Sequence, residues 1–335
     1  MTGISWGSVG PKVSWGAMSR VVAIGDVHGC ASELLTLLER LDVTSDTTLV
    51  FVGDYIDRGP HGRQVIDLLL ETSERCQVVA LMGNHEWMFR GFLFNRNVKT
   101  AGLFVLNGGG TTLGSYGCGE GDFSVPKAHI TFLERLTLTH QTEGYFFVHA
   151  SVPELPLEQL DAKQHWRELI WGRGILESAR RWSKVVVHGH SPVPAVDIRP
   201  NRINIDTGCA YDNCLSAIEL PTLRVTSVPR LDKFRGTMLC DRSSRREAVR
   251  FKGALSVHVK RSSGVAEFET LDYSPVGIFM RLVSPCERRP LAKNDVIVGV
   301  IGRDSPGAVQ FRGVVVREVS NPQGLFYGVK ISHAG

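Results

Sequence analysis

Three times between Val21 and Asn95 the chain runs strand, tight turn, helix, and every turn carries side chains able to hold a cation. The apolar runs Val21–Ile24, Leu49–Val52 and Val78–Leu81 read as buried strands. They deliver Gly25-Asp26-Val27-His28-Gly29, then Gly53-Asp54-Tyr55-Ile56-Asp57-Arg58-Gly59-Pro60, then Gly83-Asn84-His85-Glu86. Helical spacing follows each turn: Leu34, Leu35, Leu37, Leu38 and Leu41; Val65, Ile66 and Leu68–Leu70; Trp87–Asn95. Strands alternating with helices predict an α/β layered domain, in which ligands bind at the carboxyl ends of the strands.

Two later strands end the same way. Tyr145–Val148 stops at His149, and Val185–Val187 stops at His188-Gly189-His190-Ser191-Pro192. A helix is expected over Pro126–Leu138, with closing strands at Arg202–Asp206, Leu215–Leu220 and Leu223–Val228. The Gly-rich residues 107–119 read as a surface loop beside the site, without the Lys-Ser/Thr of a phosphate-cradling P-loop. A sheet sandwich would bring Asp26, His28, Asp54, Asn84, His149 and His190 to one edge, whereas His188 is expected to pack on the opposite face of its strand. Carboxylate, imidazole and amide oxygen suit divalent manganese, iron or zinc. Six such ligands, one carboxylate bridging, serve two ions and imply phosphate-ester hydrolysis by a metal-bound hydroxide.

The motifs Gly-Asp-Val-His-Gly, Gly-Asp-Tyr-Ile-Asp-Arg-Gly and Gly-Asn-His-Glu resemble the signatures of the phosphoprotein phosphatase (PPP) branch of calcineurin-like metallophosphoesterases. Leu106–Gly110, Val148-His149-Ala150, Ile170-Trp171-Gly172-Arg173, Gly189–Pro192 and Asp206-Thr207-Gly208 resemble its bacterial and phage lambda-type members. The resemblance covers roughly residues 20–230. It implies that Asp26 and His28 hold the first metal, that Asp54 bridges, and that Asn84, His149 and His190 complete the second. It further implies Arg58 and Arg173 as a phosphate clamp and His85 as general acid, oriented by Asp57. Manganese is the metal expected first, with iron or zinc as alternatives. The chain departs from the pattern at Ser151 and at Cys209-Ala210-Tyr211-Asp212-Asn213-Cys214, which puts substrate specificity in question.

At 335 residues two domains are expected, and the charge divides them. Residues 240–335 hold fifteen Lys/Arg against nine Asp/Glu, a net +6 that leaves −2 for the remainder of a chain at +4. A basic second domain suits an anionic ligand. Asp241–Arg250 is Arg-dense and reads as a linker. Six β-type segments follow: Gly253–Val259, Val265–Leu271, Gly277–Val283, Val296–Ile301, Val309–Val319 and Leu325–Ile331, the pattern of a small antiparallel barrel. Arg245-Arg246 with Arg250, and Asp272-Tyr273-Ser274-Pro275-Val276-Gly277 about twenty residues on, together resemble the PilZ domain, a cyclic di-GMP receptor. The resemblance implies contacts from Arg245, Arg246, Arg250, Asp272, Ser274 and Gly277 to that dinucleotide. Few aromatics interleave these arginines, so a nucleic-acid platform is not expected.

The expected layout is a leader over 1–19, a metallophosphatase over 20–232, an Arg-rich linker over 233–250 and a PilZ-like barrel over 251–335. Seven cysteines without paired short spacing, no long apolar run and no signal-like N-terminus point to the cytoplasm. The function expected is a protein serine/threonine phosphatase regulated by cyclic di-GMP, acting on phosphoproteins or phosphopeptides. A dinucleoside polyphosphate hydrolase and a catalytically idle cyclic di-GMP-responsive binding protein are the alternatives. A homodimer is left open.

Overall fold

The computed structural model describes residues 20–95, 103–117, 123–179, 181–231, 251–252, 255–261, 264–274, 277–284, 291–301, 308–321 and 324–334. The chain divides into two units, residues 1–87 with 111–235, and 88–110 with 236–335. The expected leader and the whole of the expected linker, with Arg245, Arg246 and Arg250, lie outside the described residues. No helix among the described residues is long and apolar enough to cross a membrane.

The first unit is a sandwich of two five-stranded sheets. One contains β1 (Arg20–Ile24), β2 (Thr47–Phe51), β3 (Gln77–Ala80), β9 (Cys214–Leu220) and β10 (Arg224–Pro229), in the order β10-β9-β1-β2-β3. The other contains β4 (Thr139–Gln141), β5 (Tyr145–Val148), β6 (Val185–His188), β7 (Asp197–Ile198) and β8 (Arg202–Asn204), in the order β4-β5-β6-β8-β7. β1, β2 and β3 are mutually parallel, as are β5, β6 and β8. One buried cluster joins Ala23, Val50, Val52 and Ile218 of the first sheet to Phe147, Val187 and Ile203 of the second. Both inner faces are therefore apolar and removed from water by each other, which holds the parallel strand ends in one place.

Helix α1 (Ala31–Leu41) buries Leu34, Leu37, Leu38 and Leu41 and leaves Leu35 outward. It ends where Asp42 enters the left-handed region at φ 48°. Helix α2 (Gly62–Ser73) buries Val65, Ile66 and Leu69. Helix α3 begins at Asn84 and ends at Arg90, continued by a π-helical turn over Gly91–Asn95. Asn84 and His85 thus occupy its first turn and do not sit in a loop before it.

The Gly-rich segment corrects the surface-loop expectation. Val105–Gly109 is a π-helical turn and Gly110–Ser115 is helix α4, joined at Gly108, whose φ of 101° breaks the screw. Glycine is needed there for backbone reversal. Gly109 lies against the Phe104 ring, closer than any side chain allows. Two short helices remain, α5 (Lys127–Arg135) and α6 (Trp166–Trp171).

The second unit carries the barrel: β11 (Phe251–Lys252), β12 (Ser256–Arg261), β13 (Gly264–Ser274), β14 (Gly277–Ser284), β15 (Val296–Ile301), β16 (Val309–Asn321) and β17 (Gly324–Ala334). The order β13-β12-β15-β16-β17-β14 closes through β14 pairing with β13, leaving six strands in the ring and β11 as an added strand beside β13. Alternation buries Val257, Val259, Ala266, Phe268, Ile278, Met280, Ile297 and Phe311 inside. Bulges between Thr270 and Asp272, and between Val315 and Arg317, supply the extra bend that closure of so small a ring requires.

Candidate active site

All six residues expected as metal ligands come to one edge of the sandwich, at the ends of β1, β2, β5 and β6 and the start of α3. Two groups of ligand atoms, His28–Asp54–His85 and Asp54–His149–His190, each lie within 4.8 Å. Asp54 belongs to both. Its Oδ2 is 3.4 Å from His28 Nε2, and its Oδ1 is 3.5 Å from His149 Nε2. The Asn84 Oδ1 lies 3.0 Å from His149 Nε2 and 3.1 Å from His190 Nδ1.

The backbone orients these rings. His28 Nδ1–H donates to the Ile56 carbonyl at 2.9 Å and His149 Nδ1–H to the Val52 carbonyl at 3.0 Å. Each bond fixes the tautomer that turns Nε2, with its lone pair, inward. The turns themselves are strained: His28, Asp54, Asp57, Arg58 and His190 all have φ between 46° and 70°. At Gly189 a side chain would strike the Asp26 carboxylate, and at Gly83 it would strike that of Asp54.

Charge is crowded here. Burial pushes the Asp26 carboxyl well up, with Asp206 and Asp54 adding to the effect. It also pushes Asp54 to about 7 and Asp206 to about 6. The imidazoles go the other way: burial lowers His28, with Arg58 adding to it, and takes His149 down to about 3. Buried carboxylates beside neutral imidazoles are the donor chemistry of a cation site. The buried Asp26 Oδ1 has no hydrogen-bond partner, and the Arg58 guanidinium donates to His28 Nε2, a cation at a ligand nitrogen. The residues present therefore fit divalent metal.

Beside the ligands sits a dyad. Asp57 Oδ2 is 2.6 Å from His85 Nδ1, and Thr112 Oγ1 donates to Asp57 Oδ1 at 2.5 Å. The other ring nitrogen, His85 Nε2, is buried without a partner, 3.9 Å from Asp54 Oδ2. Burial lowers the His85 imidazole and raises the Asp57 carboxyl. The guanidinium carbon of Arg58 lies 5.2 Å over the exposed Tyr211 ring. Arg173 is exposed, and its charge is among those that lower His190. His188 is buried, its Nδ1–H donating to the Gly189 carbonyl at 3.1 Å.

Two participants carry no role in the sequence reading. Glu86 accepts four backbone N–H bonds, from Asp54 (2.9 Å), Tyr55 (2.8 Å), Ile56 (3.3 Å) and Gly83 (3.1 Å), and so holds the Asp54 turn open. Beyond burial, Asp206 raises the Asp26 carboxyl by its charge and accepts from the Gly208 N–H at 3.0 Å. Glu86 was visible within Gly-Asn-His-Glu, but nothing in its spacing said that it turns back to another strand.

For the barrel, the side chains of Asp272 and Ser274 lie outside the described residues, but their backbones and that of Gly277 do not. Phe251, directly after Arg250, pairs with Tyr273, and Lys252 pairs with Asp272. Ser274 and Gly277 face each other across the β13–β14 turn.

A double-sheet fold with His and Asp clusters at its strand ends defines a hydrolase of the metallophosphoesterase class. Residues 19–213 match the calcineurin-like phosphoesterase family, and the chain belongs to it. It is 29% identical to the bis(5'-nucleosyl)-tetraphosphatase PrpE [asymmetrical] of Oceanobacillus iheyensis over 240 residues, 64% of this chain and 94% of the relative. The protein of the same name from Geobacillus sp. strain WCH70 is 28% identical over 63% of this chain and 94% of its own. Among solved structures, the cold-active protein-tyrosine phosphatase of a Shewanella psychrophile covers 64% of this chain and 78% of its own, at 19% identity and a TM-score of 0.43. The PilZ domain with c-di-GMP of YcgR from Escherichia coli covers 27% and 79%, at 13% identity and a TM-score of 0.22.

Proposed function

We propose that the chain is a metal-dependent hydrolase of bis(5'-nucleosyl) tetraphosphates. The observation that carries the hydrolase reading is the position of Asp54 between two ligand groups. The substrate rests on the relatives' printed names. Asp26, His28, Asp54, Asn84, His149 and His190 would hold two divalent ions, with manganese proposed first. When bound, such ions polarise a phosphoryl group and make water a competent nucleophile at neutral pH. The chain's own residues do the rest. Arg58 and Arg173 bind the phosphoryl oxygens, and Tyr211 keeps the Arg58 guanidinium aimed across the mouth. His85 Nε2 holds a proton for the leaving oxygen, with Asp57 fixing the ring from behind.

A phosphoserine or phosphothreonine protein substrate is the second reading. The same buried Asp57–His85 pair favours it, because an alkoxide leaving group needs a proton donor more than a phosphate leaving group does. Turnover of diadenosine tetraphosphate and of a phosphopeptide, compared as kcat/KM in manganese, decides between them. Unequal products, a mono- and a triphosphate nucleotide, are expected; inert tetraphosphate with a hydrolysed phosphopeptide reverses the order.

The barrel is proposed to bind cyclic di-GMP through Arg245, Arg246, Arg250, Asp272, Ser274 and Gly277. The pairing of Phe251 with Tyr273 supports this reading, since it brings the backbone after the arginines to the Asp272 strand. Calorimetric titration of the full chain tests binding, and hydrolysis with and without saturating cyclic di-GMP tests regulation. Identical rates would remove the regulatory part and leave the enzyme.

A further inference from the structure

Cys30 and Cys209 lie on different loops of the site and meet behind it. Cys30 follows His28-Gly29, and Cys209 follows Asp206-Thr207-Gly208. Both are 1% exposed. Their sulfurs and a Glu33 carboxylate oxygen all lie within 4.8 Å of one another. Arg230 closes the group: it donates to Cys30 Sγ and places Nε 3.4 Å from Glu33 Oε1. That guanidinium already neutralises Glu33, so the cluster has no need of a metal ion. None of the four is among the residues proposed to hold metal or phosphate.

We propose that Cys30 and Cys209 are a modification site, a reversible disulfide that forms with hydrogen peroxide and suspends the hydrolase. Both thiols are buried, so the oxidation is slow. Arg230 is the cation that steadies the thiolate once it forms. One thiol, ionised beside Arg230, attacks a peroxide oxygen; the O–O bond breaks, and the departing hydroxide takes up the released proton as water. The sulfenic acid so formed is attacked by the second thiol, the S–O bond breaks, and a second water leaves. Two thiols and one peroxide give one disulfide and two waters, the sulfurs losing two electrons and the peroxide gaining them. A dithiol reductant reverses the change by exchange.

Bonded sulfurs stand about 2.05 Å apart, nearer than any non-bonded thiols, so forming the bond draws the two loops together. Little slack exists to absorb this. Gly29, between His28 and Cys30, presses on the Gly59 backbone at φ 65°, and Gly208 before Cys209 has φ 68°. Closure therefore moves His28 and the turn that carries Arg58.

The test uses the full chain, treated metal-free with hydrogen peroxide so that no metal is oxidised. Intact mass is expected to fall by two hydrogens, digestion to yield a Cys30–Cys209 linked peptide, and dithiothreitol to reverse both. After manganese is added, kcat is expected about a hundredfold lower, the cost of a misplacement of roughly 1 Å, and to recover on reduction. Cys209→Ser and Cys30→Ser should form no linked peptide, lose no two hydrogens and keep their activity through the treatment, and Cys214→Ser should behave as the parent does. A missing linked peptide, a linked protein of full activity, or equal loss in Cys209→Ser overturns the proposal. The peptide measurement needs only the parent protein and no substrate, so it stands apart from the substrate reading and from whether the variants fold.

Discussion

Asp57 and His85 are buried together, Oδ2 to Nδ1 at 2.6 Å, and Thr112 holds the carboxylate's other oxygen. Asp57→Asn keeps the shape of that contact but offers an amide where the ring expects a carboxylate. For an alkyl phosphate leaving group kcat should fall about a hundredfold, the scale of one general-acid contribution. For p-nitrophenyl phosphate, whose leaving group needs no proton, the fall should be much smaller, with KM little changed in both cases. Equal losses on the two substrates would assign Asp57 a structural role only.

Asp54 faces both ligand groups, whereas Asn84 faces His149 and His190 alone. Asp54→Asn should abolish tight binding of both manganese ions, and Asn84→Ala that of one. Metal content after gel filtration and the rise in melting temperature on adding manganese measure this directly, because ligand binding to the folded state raises its stability.

Glu86 is a stability element. Removing its carboxylate as Glu86→Ala strands four buried N–H groups, each costing about 1–3 kcal/mol. Severe destabilisation or failure to fold is expected, while Glu86→Gln, which keeps one acceptor oxygen, should fold with a lowered midpoint. Urea unfolding of the two variants gives the comparison.

His140, on β4 against Phe147, has a buried Nε2 with no partner, and burial lowers its pKa, with Lys184 adding to the effect. The unfolded chain then binds a proton that the folded chain refuses. Stability from this residue is complete above the unfolded value of about 6.5 and declines as pH falls below it. His140→Phe should flatten the loss of melting temperature between about pH 7 and 5. An unchanged slope would place the acid sensitivity elsewhere.

Strand ends were legible in the sequence because an apolar run stopped by glycine and followed by helical periodicity is a local signal. Asp26, Asp54 and Asn84 each carry it; His149 and His190 carry only the end of an apolar run, and the six barrel segments their alternation and turn residues. The surface-loop expectation for residues 107–119 fails because glycine means something else there. Gly108 and Gly109 serve a kink and a close approach inside helical turns, which composition alone does not separate from a loop.

Local chemistry settled the kinds of side chain and the order of strands and helices, since periodicity and turn residues act over a few positions. Tertiary structure alone decided which atoms meet. Glu86 reaching back to the Asp54 turn, Asp206 beside Asp26, Cys209 beside Cys30 and β14 pairing with β17 all join distant positions. Such contacts arise from packing two apolar faces together, and that cooperative event leaves no periodic trace along the chain.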